Sequence, residues 1–240
     1  MFRGTVLYIP RSDAIRHAAR HLTDIGIPMT EKCAPDVTHV LLPVPSFPQG
    51  DTYLAHYLAE LPDDVIISGG NLRSPLLEHM RTVDFLQDAT YLANNAAITA
   101  DCAAQMLHEL LSELPGRRIL ILGWGRIGKC LGQKLRHAGA DITIAVRKPA
   151  DLAIIRALGC HSLAIADVPE ETRWFDAIVN TVPVPILTDP DTKPDCVLLE
   201  LASRPGIIGP GVVNGRGLPG KMAPEASGKL IAETFVRLSL

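Results

Sequence analysis

Apolar residues fall along this chain in two alternating rhythms. Some form short unbroken runs, and others return every three or four positions, as on one face of a helix. Thr5 to Ile9 is a run of the first kind. After it, Ser12 predicts the N-cap of a helix with Ile15, Ala18, Ala19, Leu22 and Ile25 on its apolar face, ended by Gly26. A weak strand follows at Ile27 to Thr30, interrupted by Pro28, then firmer ones at Thr38 to Leu42, Val65 to Ser68 and Val83 to Leu86. Leu76 to Met80 reads as a short helix and Ala89 to Ala97 as a crossing segment. From Ile98 to Leu114 the apolar positions keep a helix period, and Pro115-Gly116 stops it.

Beyond that stop the alternation resumes more strongly. Strands are predicted at 119–122, 141–146, 162–165, 176–181, 196–201 and 211–214, with helices at 126–138, 150–158 and 168–172. Pro224 suits the first turn of a final helix whose apolar face is Leu230, Ile231, Thr234, Phe235 and Leu238. Alternating strands and helices give parallel sheets. The predicted fold is therefore α/β, with two Rossmann-like domains. Residues 1–95, completed by the returning C-terminal helix 224–240, form a flavodoxin- or Rossmann-like domain, and residues 96–223 form the second. The long helix joins them, and a cleft is expected between them.

One turn carries chemistry. The run Ile119 to Leu122 leads into Gly123-Trp124-Gly125-Arg126-Ile127-Gly128, and a helical pattern follows at once. In a dinucleotide fingerprint Gly123 permits the tight turn, Gly125 lets the backbone approach a pyrophosphate, and Gly128 lets helix and strand pack closely. The helix N-terminus offers unpaired N–H groups to the phosphates. A strand-turn-helix without a ligand is the alternative. The first domain has Pro10-Arg11-Ser12 at the corresponding place, so the dinucleotide is expected in the second.

Composition narrows the setting. The 240 residues carry a formal net charge of −3, and aromatic residues make up 5%, which gives no case for nucleic acid. No run approaches the roughly 18 apolar residues of a membrane span. Five cysteines, scattered and never in C-x-x-C spacing, predict reduced thiols in a cytoplasmic protein, with no disulfide framework and no metal site.

About 20 residues past the glycines, NAD sites usually place a carboxylate for the ribose hydroxyls. Here Arg147 and Lys148 stand instead, two cations suited to a 2′-phosphate, so NADP is expected rather than NAD. A solvated basic loop is the alternative. Further candidates fall where open α/β sheets place ligands. Asn180, Thr181, Val182 and Pro183 end the fourth strand, within expected reach of the nicotinamide ribose. Ser203 and Arg204 follow the fifth. Arg216 and Lys221 lie in a glycine-rich turn before the last helix, and Asn94, Asn95 and Thr99 lie at the start of the connecting helix. His108, mid-helix, reads as a surface or core histidine rather than a catalyst, and turn formers and caps are the alternative for the other stretches.

In their order, these stretches resemble the family of the A-type subunit of dipicolinate synthase. The resemblance rests on Ser68-Gly69, the Gly123–Gly128 turn, Ala145-Val-Arg147, Asn180-Thr-Val-Pro183, Leu201-Ala-Ser-Arg-Pro-Gly206 and Gly217-Leu-Pro-Gly-Lys-Met-Ala-Pro224 with Ser227-Gly228. It implies NADP-dependent oxidation of a dihydrodipicolinate-type ring to pyridine-2,6-dicarboxylate in the mother cell of a spore-former. It also implies a partner, the flavoprotein-like B-type subunit. Thr99, Asp101, Ser203, Arg204 and Lys221 are then the candidate catalytic set, with cations for a small dicarboxylate. A homodimer through the C-terminal helix is a further expectation. The competing readings are a dehydrogenase of another small carboxylate and a non-catalytic, NADP-sensing regulatory protein.

Overall fold

The computed structural model describes residues 4–48, 50–62 and 64–240. The chain runs β1 (Thr5–Tyr8), α1 (Asp13–Asp24), β2 (Met29–Thr30), β3 (Val37–Leu41), α2 (Thr52–Leu58), β4 (Ile66–Gly69) and β5 (Arg81–Asp84). Helix α3 (Ala89–Leu111) follows, then β6 (Arg118–Leu122), α4 (Arg126–His137), β7 (Asp141–Val146), α5 (Pro149–Ala157), β8 (His161–Ala164), α6 (Val168–Glu171) and β9 (Ala177–Asn180). The last elements are β10 (Leu187–Thr188), β11 (Val197–Glu200), β12 (Ile207–Ile208), β13 (Val212–Asn214), α7 (Leu218–Met222) and α8 (Pro224–Ser239).

Two compact units result. The first comprises 1–95 and 219–240, and the second 96–218. Helix α3 carries the chain from one into the other. Within the described residues every strand pairing is parallel, as the alternating pattern requires.

In the first unit the sheet order is β2-β1-β3-β4-β5, the flavodoxin-like arrangement. Leu7, Ile9, Val40, Leu42, Leu54 and Ile67 fill its core. Ser12 caps α1 by accepting a bond from the Ile15 N–H, as predicted. Helix α8 lies along α1, and a Cβ at Gly228 would come within 2.5 Å of His17 Cβ and 2.6 Å of the Ala14 carbonyl oxygen. Only glycine allows so close a crossing. The far end of α8 is tied down by polar bonds in the core. Ser239 accepts at its carbonyl from His39 Nε2 (2.9 Å), and its hydroxyl bonds that of Ser68 (2.8 Å). Burial pushes the His39 imidazole below its ordinary range.

In the second unit the order is β13-β11-β9-β6-β7-β8. Counted from β6 as the first strand, this is 6-5-4-1-2-3, the doubly wound dinucleotide-binding arrangement. The central strands are buried on both faces. Leu120, Leu122, Ala145, Ile178 and Leu198 join Val168, Phe175, Leu187 and Ile207 in one cluster.

Several predicted elements shift. The crossing segment 89–97 is helix, so α3 begins at Ala89 rather than near Ile98. The cause is Asp88, whose carboxylate accepts from the Tyr91 N–H at 2.6 Å and from both guanidinium nitrogens of Arg237. The Arg237 guanidinium, with the backbone donors at the helix start, holds that carboxyl below its usual range. Asn94 and Asn95 therefore sit inside the helix, past its start. The helix expected at Leu76 to Met80 is a single tight turn over Pro75–Leu77. The fifth strand lies earlier, at Arg81–Asp84, and β4 runs on to include Gly69. Helices α2 and α7 and the two-stranded β10-β12 sheet had no counterpart in the periodicity, being too short to display it. Leu238 is 36% exposed, off the buried face of α8.

Candidate functional site

The site is built at the topological switch of the second unit, where β6 and β9 are neighbours and their connections leave in opposite directions. Each glycine of the turn has a distinct steric duty. Gly123 has φ +100°, and a Cβ there would lie 2.6 Å from Val182 Cγ2 and 2.7 Å from Thr181 Oγ1. A Cβ at Gly128 would overlap the Gly123 carbonyl oxygen and lie 3.2 Å from its carbon. At Gly125 a Cβ would meet nothing within 4 Å. The middle glycine is thus the one whose missing side chain leaves open space.

Gly125 is also the N-cap of α4, and no side chain caps that helix. Its first-turn N–H groups, at Arg126, Ile127 and Gly128, are the donors that an α-helix leaves without internal partners. Arg126 is exposed at this end and no acidic residue stands in the first turn. An open cradle, free donors and a positive dipole end fit a pyrophosphate.

At the end of β7, Arg147 and Lys148 are both exposed, and Lys148 begins α5 with Pro149 in its first turn. Trp124 contributes its backbone to the turn. Its ring points elsewhere, lining a cavity of about 390 Å³ with Ile154, Leu158 and Cys160, with Lys129 Nζ 5.9 Å from the ring centroid. Thr181 donates its hydroxyl to the Leu122 carbonyl at 2.7 Å, which pins the end of β9 to the end of β6. Val182 packs beside Gly123, and Pro183 is exposed.

Asn180 departs from expectation. It is fully buried. Its amide nitrogen donates to the Val182 carbonyl (2.9 Å) and to both oxygens of Glu200 (2.8 and 3.0 Å), and its oxygen accepts from the Val182 N–H (3.1 Å). Its amide hydrogens are taken up inside the protein, and the side chain is closed off from solvent. Its task is to hold the loop that carries Thr181 and Val182.

Glu200 has no counterpart among the residues expected from the sequence. Only 3% exposed, it accepts from Asn180 and from the backbone N–H groups of Ala202 (2.8 Å), Gly206 (2.7 Å) and Ile207 (3.1 Å). A carboxylate ending the apolar strand Val-Leu-Leu-Glu was the available signal, since buried charges need dedicated partners. The loop it closes presents Ser203 and Arg204, both exposed.

The other catalytic candidates scatter. Asp101 forms an ion pair with Lys134, eight residues beyond Arg126 along α4. At a rise of about 1.5 Å per residue that is roughly 12 Å from the glycine turn. The structure does not bring Asp101 to the turn. Thr99 is buried on α3 and His108 is exposed on it. Lys221 is exposed on α7, in the first unit, and Arg216 is half-buried after β13. Burial pushes the Cys196 thiol up to about 11 and those of Cys33 and Cys102 upward, and all five cysteines are unpaired. Among the described residues no cluster of His, Cys, Asp or Glu could hold a metal, and no helix is long and apolar enough to cross a membrane.

Strand order, glycine turn and open helix end define a Rossmann unit of the dinucleotide-binding class. Within that class the chain resembles the A-type subunit of dipicolinate synthase. It is 29% identical to that protein of Bacillus subtilis (strain 168) over 134 residues, 51% of this chain and 45% of the relative. The crystal structure of the same protein from Bacillus halodurans superposes with a TM-score of 0.80 at 21% identity, covering 98% of this chain and 97% of that one. The NADP(+) shikimate dehydrogenase of Syntrophobacter fumaroxidans is 31% identical over 106 residues, 40% of this chain and 37% of the relative. The matched segments span less than half the length of either of these two sequence relatives. No family model matches the chain.

Proposed function

We propose that the chain is an NADP-dependent oxidoreductase that converts a dihydrodipicolinate-type ring to pyridine-2,6-dicarboxylate. The observation that carries the cofactor half is Gly125: an open cradle at an uncapped helix start, at the switch point of a doubly wound sheet. The 2′-phosphate is assigned to Arg147 and Lys148, the two exposed cations at the end of β7. The likeness to an NADP(+) shikimate dehydrogenase supports the same choice.

Bound NADP would supply the hydride acceptor for the ring. The protein's part is to hold a dicarboxylate in line, exclude water and accept the one proton released as the ring becomes aromatic. Arg204 supplies a planar two-pronged donor for one carboxylate, and Ser203 a hydroxyl beside it. The likeness to the A-type subunit of dipicolinate synthase supports the substrate, a flavoprotein-like B-type partner, and a cytoplasmic setting in a sporulating cell.

Turnover tests the proposal. The product of dihydrodipicolinate synthase is supplied with NADP, and dipicolinate absorbance is followed. A rate above the spontaneous one, lost in Arg204→Ala, is expected. A rate equal to background, with NADP binding intact, would make a non-catalytic NADP sensor the better reading. Absence of NADP binding would remove both.

A further inference from the structure

Glu200 is a buried acidic side chain that the proposed chemistry does not use. Its partners are neutral N–H donors: the Asn180 amide and the backbone of Ala202, Gly206 and Ile207. They come from two separate segments, the end of β9 and the loop after β11. The first of these segments carries Thr181 and Val182, which pack on Gly123 of the turn, and the second carries Ser203 and Arg204. The contact is tight as well as polar. A Cβ at Gly206 would overlap the Asn180 amide nitrogen and come within 2.8 Å of the Val182 carbonyl oxygen.

We infer that Glu200 is the positioning residue of the site. Its carboxylate sets one register for the loop that floors the cofactor turn and the loop that presents the substrate cation, without touching either ligand. The inference rests on the function proposed above and deepens it. The carboxylate form is required, because every partner is a donor. A carboxylate offers acceptors on both oxygens, whereas an amide would turn its own N–H groups toward N–H groups. Asn180 is the complementary piece, the only side-chain donor among these partners.

The pairing suggests a test that switches with pH. Asn180→Asp sets a second carboxylate against Glu200 while keeping an oxygen for the Val182 N–H. At low pH the pair shares a proton, and the protonated Asp gives its one O–H to Glu200, while the amide's second donation, to the Val182 carbonyl, is lost at every pH. At high pH both ionise and repel, so the two loops separate. NADP binding is measured by titration calorimetry for wild type, Asn180→Asp and Glu200→Gln between about pH 5.5 and 8.5. Near-UV circular dichroism of each ligand-free protein accompanies every point.

For Glu200→Gln we expect affinity about tenfold or more below wild type at every pH. For Asn180→Asp we expect a smaller loss at the acid end than at the alkaline end, where it matches that of Glu200→Gln, with an unchanged near-UV spectrum. Wild-type affinity for both variants across the range overturns the inference. So does a loss that tracks collapse of the near-UV signal, which would make Glu200 a residue of general stability. If wild type itself does not bind NADP, the cofactor assignment fails instead, and the two failures are distinguishable.

Discussion

Substituting alanine at Gly125 and at Gly128 separates binding from folding, because the two positions differ in what a methyl group would meet. At Gly128 the added Cβ overlaps the Gly123 carbonyl oxygen and sits 3.2 Å from its carbon. Both are backbone atoms of a turn already held at φ +100°, so relief requires moving α4 away from β6. Overpacking of this kind costs about 1–3 kcal/mol. Alanine's better helix propensity returns at most about 1 kcal/mol. At roughly 2–4 °C per kcal/mol for a chain of this size, a net cost of up to about 3 kcal/mol lowers Tm by up to about 12 °C.

At Gly125 the methyl meets nothing within 4 Å, and the backbone (φ −77°, ψ −168°) is extended, open to alanine. Stability should change by less than about 0.5 kcal/mol, a surface-sized effect. The same methyl occupies the space assigned to the pyrophosphate. Holding a phosphate off the helix amides by about 1 Å should cost ten- to a hundredfold in NADP affinity, or about 1.4–2.8 kcal/mol. Thermal unfolding and calorimetric titration of both variants give the answer. If Gly125→Ala binds NADP like wild type, or loses as much Tm as Gly128→Ala, the assigned cradle is wrong.

Arg147→Glu should weaken NADP binding about ten- to a hundredfold while changing NAD binding by less than about threefold, measured by parallel titrations. Equal losses would place the 2′-phosphate elsewhere. His39 is held below its ordinary 6.5 by burial, so the unfolded chain takes up its proton first as pH falls. Its stabilising contribution is full above about pH 6.5 and declines below it. The urea midpoint of His39→Gln should therefore depend less on pH than that of wild type across this window. A parallel dependence would refute the assignment. Asp88→Ala should lower Tm more than Asp88→Asn, because asparagine keeps the N-cap bond and loses only the Arg237 pair. Equal shifts would mean that the cap contributes nothing.

Local signals made much of the second unit legible. Its strands are buried on both faces and read as unbroken apolar runs, and β7 falls at residues 141–146 as predicted. The glycine turn was legible because its three glycines fall within six residues between an apolar run and a helical pattern, although the side chains that crowd Gly123 come from Thr181 and Val182, far along the chain. The role of Asn180 was not, because its partner lies 20 residues away across the sheet, a distance that no local pattern reports. Glu200 did leave a local trace, a carboxylate closing the apolar run Val197–Glu200, but its pairing with Asn180 across the sheet did not. Asp88 is harder to place although an aspartate before a helical run is a local signal, because the apolar period of α3 becomes regular only from Ile98. The position of Asp101 depends on Lys134 of α4, which nothing in its own helix announces.

The first unit is assembled from two stretches of chain, residues 1–95 and 219–240, while the second is continuous. Synthesis proceeds in one direction, so the two units become complete in an unexpected order. Ala14 and Ala18 of α1 emerge early, yet Gly228, the residue shaped to cover them, is made more than two hundred residues later. Until then the α8-facing side of α1 stands open to water or to a chaperone. The continuous unit has all of its strands by Asn214 and can close around its core first. The half of the molecule that begins first is therefore the half that finishes last, and its apolar α1 face is the surface that quality control would meet on a growing chain.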